Sequence, residues 1–204
     1  MISELFVAAA SKVTPDVSLV PPLWMEIEKQ YSHRSRHYHN LAHLEKMTAE
    51  LETVKELVED FEGIVFSIVY HDIVYNATKK DNEEKSAELA RKRLTSLSYP
   101  PQAAERVARH ILATKSHQKS EDNDTNLFTD ADLSVLGAPW EVYQEYYGQI
   151  RKEYAIYPDL LYKPGRRKVL QHFLDLPAIF KTAVFHTRYE RQARENLFRE
   201  LETL

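Results

Sequence analysis

The segment IVFSIVYHDIVY, residues 64–75, joins an apolar run to two ionisable residues. Residues 64–68 carry no polar stripe, which predicts a segment buried on all sides. His71 and Asp72 follow at its end. Burying a carboxylate beside an imidazole costs on the order of several kcal/mol unless a cation or a hydrogen-bond donor pairs with it. The dipeptide therefore indicates either a metal site or a core histidine hydrogen-bonded to its neighbour, and by itself it does not decide between them.

The bulk composition predicts one soluble domain over residues 1–204. Apolar residues make up 43% of the chain and charged residues 28%, and the net charge is −4 with both signs mixed along the sequence, so no nucleic-acid partner is expected. No stretch reaches the about 18 apolar residues of a membrane span, so no membrane partner is expected and a cytoplasmic protein is the simplest inference.

The absence of cysteine narrows the chemistry further. It removes thiolate nucleophiles and cysteine-ligated metal sites, so any metal must be held by histidine and carboxylate ligands.

The spacing of apolar residues predicts an all-α fold, a compact bundle of roughly eight to ten helices. The chain has only 4 glycines and no Asn-Gly or Asp-Gly hairpin signal, which argues against a sheet-rich fold. Residue 82 is predicted to cap one helix, and another helix is predicted to begin at 100–101. Residues 76–81 and 116–126 are predicted to be loops, and the second of these could act as a lid over a site. The helical stretches are Leu44-Met47-Leu51-Val54-Val58, Ala87-Ala90-Leu94-Leu97, Val107-Ile111-Leu112, Trp140-Tyr143-Tyr147-Ile150-Tyr154 and Phe185-Tyr189-Ala193-Leu197-Leu201.

Two more stretches carry candidate ligands. In RSRHYHNLAH, residues 34–43, His39 and His43 are four apart, so on a helix they would share one face. They could ligate one metal together, or supply one ligand and one substrate-binding group. In FTDADLSVLG, residues 128–137, Asp130 comes first and suits an N-cap, whereas Asp132 needs another reason to face the core.

Taken in order, His43, His71-Asp72 and Asp132 resemble the ligand series of the HD-domain superfamily of metal-dependent phosphohydrolases. The resemblance is closest to a branch of short, stand-alone predicted phosphohydrolases, and it covers nearly the whole chain. Its matching elements are Arg-x-Tyr-His-Asn-x-x-His at 36–43, His-Asp-x-x-Tyr at 71–75, Asp-Asn-Glu-Glu-x-Ser-Ala at 81–87, Ala-Thr-x-x-His at 113–117, Asp-Ala-Asp-Leu at 130–133, and Glu190, Ala193-Arg194 and Asn196-Leu197.

The resemblance implies an HD-type helical bundle that holds one divalent ion, which could be Mn, Fe, Co, Ni, Mg or Zn. The implied ligands are His43, His71, Asp72 and Asp132. The implied reaction is hydrolysis of a phosphate ester by metal-activated water, on a small nucleotide or phosphorylated metabolite. Asp130 stays open as an alternative to Asp132.

Further residues are expected around this centre, each with a plainer alternative. Asp72, Glu83 and His117 are the catalytic candidates, although Glu83, like Glu84, would also suit the start of a helix. The substrate-binding candidates are Arg36, Tyr38, His39 and Lys115. Arg36 and Lys115 could instead be ordinary surface charges, and the rings of Tyr38 and His39 could belong to the core.

Two other functions stay open. A di-iron HD-type oxygenase would need a second metal, with His110 and His117 as its candidate ligands; otherwise His110 is expected to be an exposed helix residue. A non-catalytic nucleotide- or metal-binding sensor is the other alternative. The 12 tyrosines are compatible with a homodimer, and the basic run at 163–168 is predicted to be a solvated helix start.

Overall fold

The computed structural model describes all 204 residues and contains helices but no strands, which confirms the predicted all-α class. No helix has the length and apolar character needed to cross a membrane. Short 3-10 helices cover Val17–Leu19, Lys55–Leu57 and Ser134–Gly137. The ten α-helices are α1 Ile2–Val13, α2 Val20–Tyr31, α3 Leu41–Glu52, α4 Phe61–Tyr70, α5 Asn82–Ser96, α6 Pro101–Ala113, α7 Asn123–Leu133, α8 Trp140–Glu153, α9 Asp159–Asp175 and α10 Ala183–Thr203.

The chain divides into two compact units, Met1–Thr129 and Asp130–Leu204. The division falls inside α7, whose hydrogen-bonded helix continues without a break to Leu133. The single domain expected over residues 1–204 stays a prediction.

Helix α4 forms the centre of the first unit. Every residue from Gly63 to Tyr70 is buried, as the apolar run predicts. The helix begins at a cap in which Asp60 accepts a hydrogen bond from the Gly63 N–H, and it packs against α1, α3, α5 and α6. His71 follows directly as the C-terminal cap residue, so burial of α4 carries His71 and Asp72 into the interior.

Two helix boundaries in this unit differ from the predicted ones. Helix α3 ends at Glu52, so Val54 and Val58 lie beyond it although their spacing suggested a continuation. Asn82 is not the cap of α5 but its first helical residue, because Asp81 occupies the cap position. The Asn82 side chain instead bonds the backbone N–H and C=O of Asn76 across the preceding loop. The start of α6 at Pro101 is as predicted.

The polar loop predicted to reach residue 126 is shorter than expected, because α7 begins at Asn123. Asp124 is fully buried and accepts hydrogen bonds from the backbone N–H groups of Glu59 and Asp60, both at 2.9 Å. Asn126 bonds both backbone groups of Ser120. Asp124 and Asn126, whose polarity suggested a solvated loop, therefore belong to a helix, and their side chains hydrogen-bond the backbone of neighbouring segments.

In the second unit the basic run at 163–168 lies within α9, which already begins at Asp159, so the predicted helix start is wrong, although Arg167 and Lys168 are exposed as predicted. Arg166 is buried and pairs with Glu200 of α10 at 2.7 and 2.8 Å. The predicted apolar face of α10 is confirmed at Phe185, Ala193 and Leu197, all of which are buried.

Candidate metal centre

Two buried histidines face each other through their Nε2 atoms. His43 lies in the first turn of α3, where Asn40 caps the helix, and His71 follows α4. The two Nε2 atoms are 3.2 Å apart. The Nδ1 atom of His71 lies 2.8 Å from the carbonyl oxygen of Ile68, which can only accept, so Nδ1 carries the proton. In the neutral form of the His71 ring, this leaves the lone pair of Nε2 directed at His43.

The carboxylate of Asp72 approaches the same nitrogen. Its Oδ2 lies 3.1 Å from His71 Nε2 and 3.8 Å from His39 Nε2, and the side chain is half-buried. A carboxylate oxygen and an imidazole lone pair repel each other at this distance unless a proton or a metal ion lies between them. This donor set, two imidazole nitrogens with carboxylate oxygens, fits a divalent ion.

Asp132 completes the group. One ligand atom from each of His43, His71 and Asp132 lies within 4.8 Å of the other two, and these three side chains could hold a metal ion. Asp132 follows Phe128 by four residues on α7, so both project from one face of that helix. The ring of Phe128 packs edge-on against the His71 ring, with centroids 5.9 Å apart.

Asp130 does not belong to this group. It is fully buried inside α7, so the expectation that it is the N-cap of its own helix is wrong. Its carboxylate accepts hydrogen bonds from the backbone N–H groups of Lys181 and Thr182 and from the Thr182 hydroxyl, at 2.7 to 3.1 Å. It therefore holds the two residues directly before α10, and burial raises the pKa of the carboxyl in spite of these donors.

His39 lies before α3, which begins at Leu41, so the expected helical pairing of His39 with His43 is wrong. The two rings are nevertheless 5.9 Å apart. The His39 ring also lies 4.3 Å from the ring of Tyr75, and the buried Tyr38 ring lies 4.9 Å from that of His43. Aromatic rings thus surround His43.

Arg36 holds the backbone that follows His71. Its Nη1 donates to the carbonyl oxygen of Asp72 at 2.6 Å and its Nη2 to that of Ile73 at 2.9 Å. The guanidinium centre lies 4.7 Å from the centroid of the Tyr31 ring, and the Tyr31 hydroxyl accepts a hydrogen bond from the Asp72 N–H. The side chain is only 8% exposed. These contacts make Arg36 a positioning residue, and its contact with a phosphate stays a prediction.

The other expected site residues lie on α5 and just after α6. Lys115 is half-exposed and pairs with Glu84, which raises the pKa of the lysine and lowers that of the glutamate. Glu83 is half-buried in the first turn of α5. His117 follows α6 with a φ of 51°, in the left-handed region. No observation tests the catalytic or substrate-binding roles expected of them.

His110 is fully buried, so the expectation of an exposed residue is wrong. Its Nδ1 lies 2.9 Å from the Ser67 hydroxyl, and its Nε2 lies 3.5 Å from a carboxylate oxygen of Asp122. His110 and His117 are outside the three-residue group described above. They are also not on one helical face, because α6 ends at Ala113.

Sequence reasoning gave no role to two residues that support the site, Tyr31 and Phe128. Both are aromatic residues at helical spacing, and only their three-dimensional neighbours distinguish them from ordinary core. Compared with known proteins, the chain matches no family model, no curated protein and no solved structure.

Proposed function

We propose that this chain is a metal-dependent phosphohydrolase of the HD type that acts on a phosphate ester, with a small nucleotide or phosphorylated metabolite as substrate. The observation that carries the proposal is the convergence at His71. Its Nε2 lone pair meets the Nε2 of His43 at 3.2 Å and a carboxylate oxygen of Asp72 at 3.1 Å. Asp132 supplies a further carboxylate oxygen within reach of the two histidines.

In this proposal one divalent ion is held by His43, His71, Asp72 and Asp132. Two neutral imidazoles and two carboxylates balance a 2+ charge, and the coordination would leave positions open for water and a phosphate oxygen. When bound, such an ion polarises a phosphate ester and lowers the pKa of a water molecule.

The protein side chains would divide the remaining work. The Nδ1–H of His71 donates to Ile68 and so keeps Nε2 directed at the site, and Arg36 fixes the backbone of Asp72. The neighbouring rings of His39 and Tyr75 would line a pocket for a base or sugar.

Three further residues would act on the phosphate. Lys115 would hold the phosphate once its exposed ion pair with Glu84 opens, since pairs of this kind contribute little stability. Glu83 would orient the attacking water, and His117 would protonate the leaving group.

The test is a hydrolysis assay on nucleoside monophosphates and sugar phosphates, with each candidate metal added to the purified apoprotein. The proposal predicts release of phosphate by the wild type and background rates for His43→Ala and His71→Ala. The matched control is His186→Ala, which removes an exposed histidine of α10 and should retain full activity. Circular dichroism would check that each variant is folded.

Turnover that survives both His43→Ala and His71→Ala would overturn the proposal. Two irons per chain with oxygen consumption would support the oxygenase instead. Tight binding of a nucleotide without turnover under any metal would support the sensor.

A further inference from the structure

The turn between α8 and α9 exposes three large aliphatic side chains within six positions. Ile156 is 70% exposed, Leu160 85% and Leu161 61%. We refer to residues 154–161 as the apolar tip. Single exposed apolar residues are common on protein surfaces, whereas a contiguous group marks a contact surface.

Basic residues flank the apolar tip in the sequence. The acidic group within it, Asp159, pairs with Arg151 at 2.8 Å, and Arg166 is turned inward to Glu200. Glu153 is the only other acidic residue between positions 151 and 168. The remaining cations of that stretch are Lys152, Lys163, Arg167 and Lys168. Residues 151–168 therefore carry a net positive charge, in a chain whose net charge is −4.

The apolar and basic residues are arranged in sequence along α9. Leu160, Leu161, Arg167 and Lys168 are all exposed, whereas Arg166 and Leu170 are buried on the opposite face. Arg167 follows Leu160 by seven residues, and Lys168 follows Leu161 by seven. This spacing corresponds to about 10 Å along the helix. With the axis of α9 along the bilayer normal and the leucines inserted by about 5–10 Å, the basic groups would reach the level of the phosphates.

Internal contacts of Arg151 stabilise the backbone of the apolar tip. Arg151 donates to the carbonyl oxygens of Tyr154 and Tyr157, both at 3.1 Å, and its guanidinium lies 4.6 Å from the centroid of the Tyr162 ring. Backbone carbonyls that already have internal donors cost less to remove from water. The turn is thus suited to leave water without unfolding.

We propose that the apolar tip docks onto an anionic lipid bilayer, with Ile156, Leu160 and Leu161 entering the acyl region and the basic residues contacting lipid phosphates. Charge complementarity selects this occupant. A two-fold contact with a second copy would place two basic sets beside each other, which opposes that interface. The inference is independent of the proposed hydrolase activity, and it departs from the expectation of no membrane partner.

The experiment is co-sedimentation of the full chain with vesicles of phosphatidylcholine mixed with phosphatidylglycerol, and with vesicles of phosphatidylcholine alone. We expect binding to the mixed vesicles that weakens as salt is added. The double variant Leu160→Asp/Leu161→Asp should remain unbound. The control is Leu57→Asp, an exposed leucine of the first unit (54% exposed), which should bind like the wild type.

A second variant separates charge from apolar insertion. Arg167→Gln/Lys168→Gln should weaken binding about fivefold for each charge removed. Failure of the wild type to sediment with the mixed vesicles would overturn the proposal, as would equal binding of Leu160→Asp/Leu161→Asp. A wild-type dimer in light scattering that the same variant converts to a monomer would assign the apolar tip to a second copy instead.

Discussion

Two buried polar clusters differ in how their charges are balanced. Around Arg166, both carboxylate oxygens of Glu200 accept guanidinium N–H groups, and the Tyr143 hydroxyl donates to the same carboxylate. Around His71, two imidazole nitrogens and a carboxylate oxygen come together. We call the first the ion-pair cluster and the second the histidine cluster. The ion-pair cluster matches a buried cation with a buried anion, whereas the histidine cluster combines ligand types that could hold a divalent ion.

The largest expected effect comes from breaking the ion-pair cluster. Glu200→Gln leaves the Arg166 guanidinium buried without a carboxylate, and we expect the free energy of unfolding to fall by about 3–5 kcal/mol. Chemical denaturation measures this. Glu195→Gln on the same helix, where the ion pair with Arg191 is exposed, should change it by less than about 1 kcal/mol. A small effect of Glu200→Gln would show that the two clusters do not differ as described.

Metal addition should stabilise the protein only through the histidine cluster. A divalent ion at about 100 times its dissociation constant should raise the free energy of unfolding by about 2.7 kcal/mol. We expect this increment in the wild type and in Glu200→Gln but not in His71→Ala, as measured by thermal denaturation with and without metal. An equal increment in His71→Ala would place the ion elsewhere.

Removing the hydrogen bonds of Arg36 should lower the affinity of the protein for metal. Arg36→Met removes the donors to the carbonyl oxygens of Asp72 and Ile73, so the backbone that carries Asp72 is less well fixed. We expect metal affinity to fall about 10- to 100-fold in titration calorimetry. Arg34→Met, an exposed neighbour, is the control and should bind as the wild type does. Unchanged affinity in Arg36→Met would remove the positioning role.

The smallest effect concerns a third buried group, His110. Burial lowers the pKa of His110, with opposing influences from Asp122 and Asp124 and a reinforcing one from Arg106. A histidine with a lowered pKa stabilises the fold above its unfolded pKa, near 6.5, and this contribution is lost as the pH falls below that value. The free energy of unfolding should therefore decline from neutral pH towards about pH 5.

His110→Gln tests this assignment, because glutamine stays neutral over the same range. The decline in the free energy of unfolding should be shallower in this variant than in the wild type. Identical slopes would show that other groups cause the decline.

The sequence predicted the helices better than their boundaries, and the site better than its supports. Apolar spacing predicted α10, because burial of one face dictates that spacing, whereas an unbroken apolar run predicted the fully buried α4. The order of His43, His71 and Asp132 indicated a shared site before any geometry was known. The role of Asp130 was not predictable, because its partners Lys181 and Thr182 lie 51 and 52 residues away. The burial of Arg166 likewise depends on Glu200, 34 residues further on.

Elemental analysis of metal content, after reconstitution of the wild type and of Asp132→Asn, tests the central claim most directly. Asp130→Asn is the matched comparison, since Asp130 lies on the same helix but bonds the start of α10. We predict about one divalent metal per chain in the wild type and in Asp130→Asn, and none in Asp132→Asn. Metal retained in Asp132→Asn, or a wild type that takes up no metal, would contradict the account.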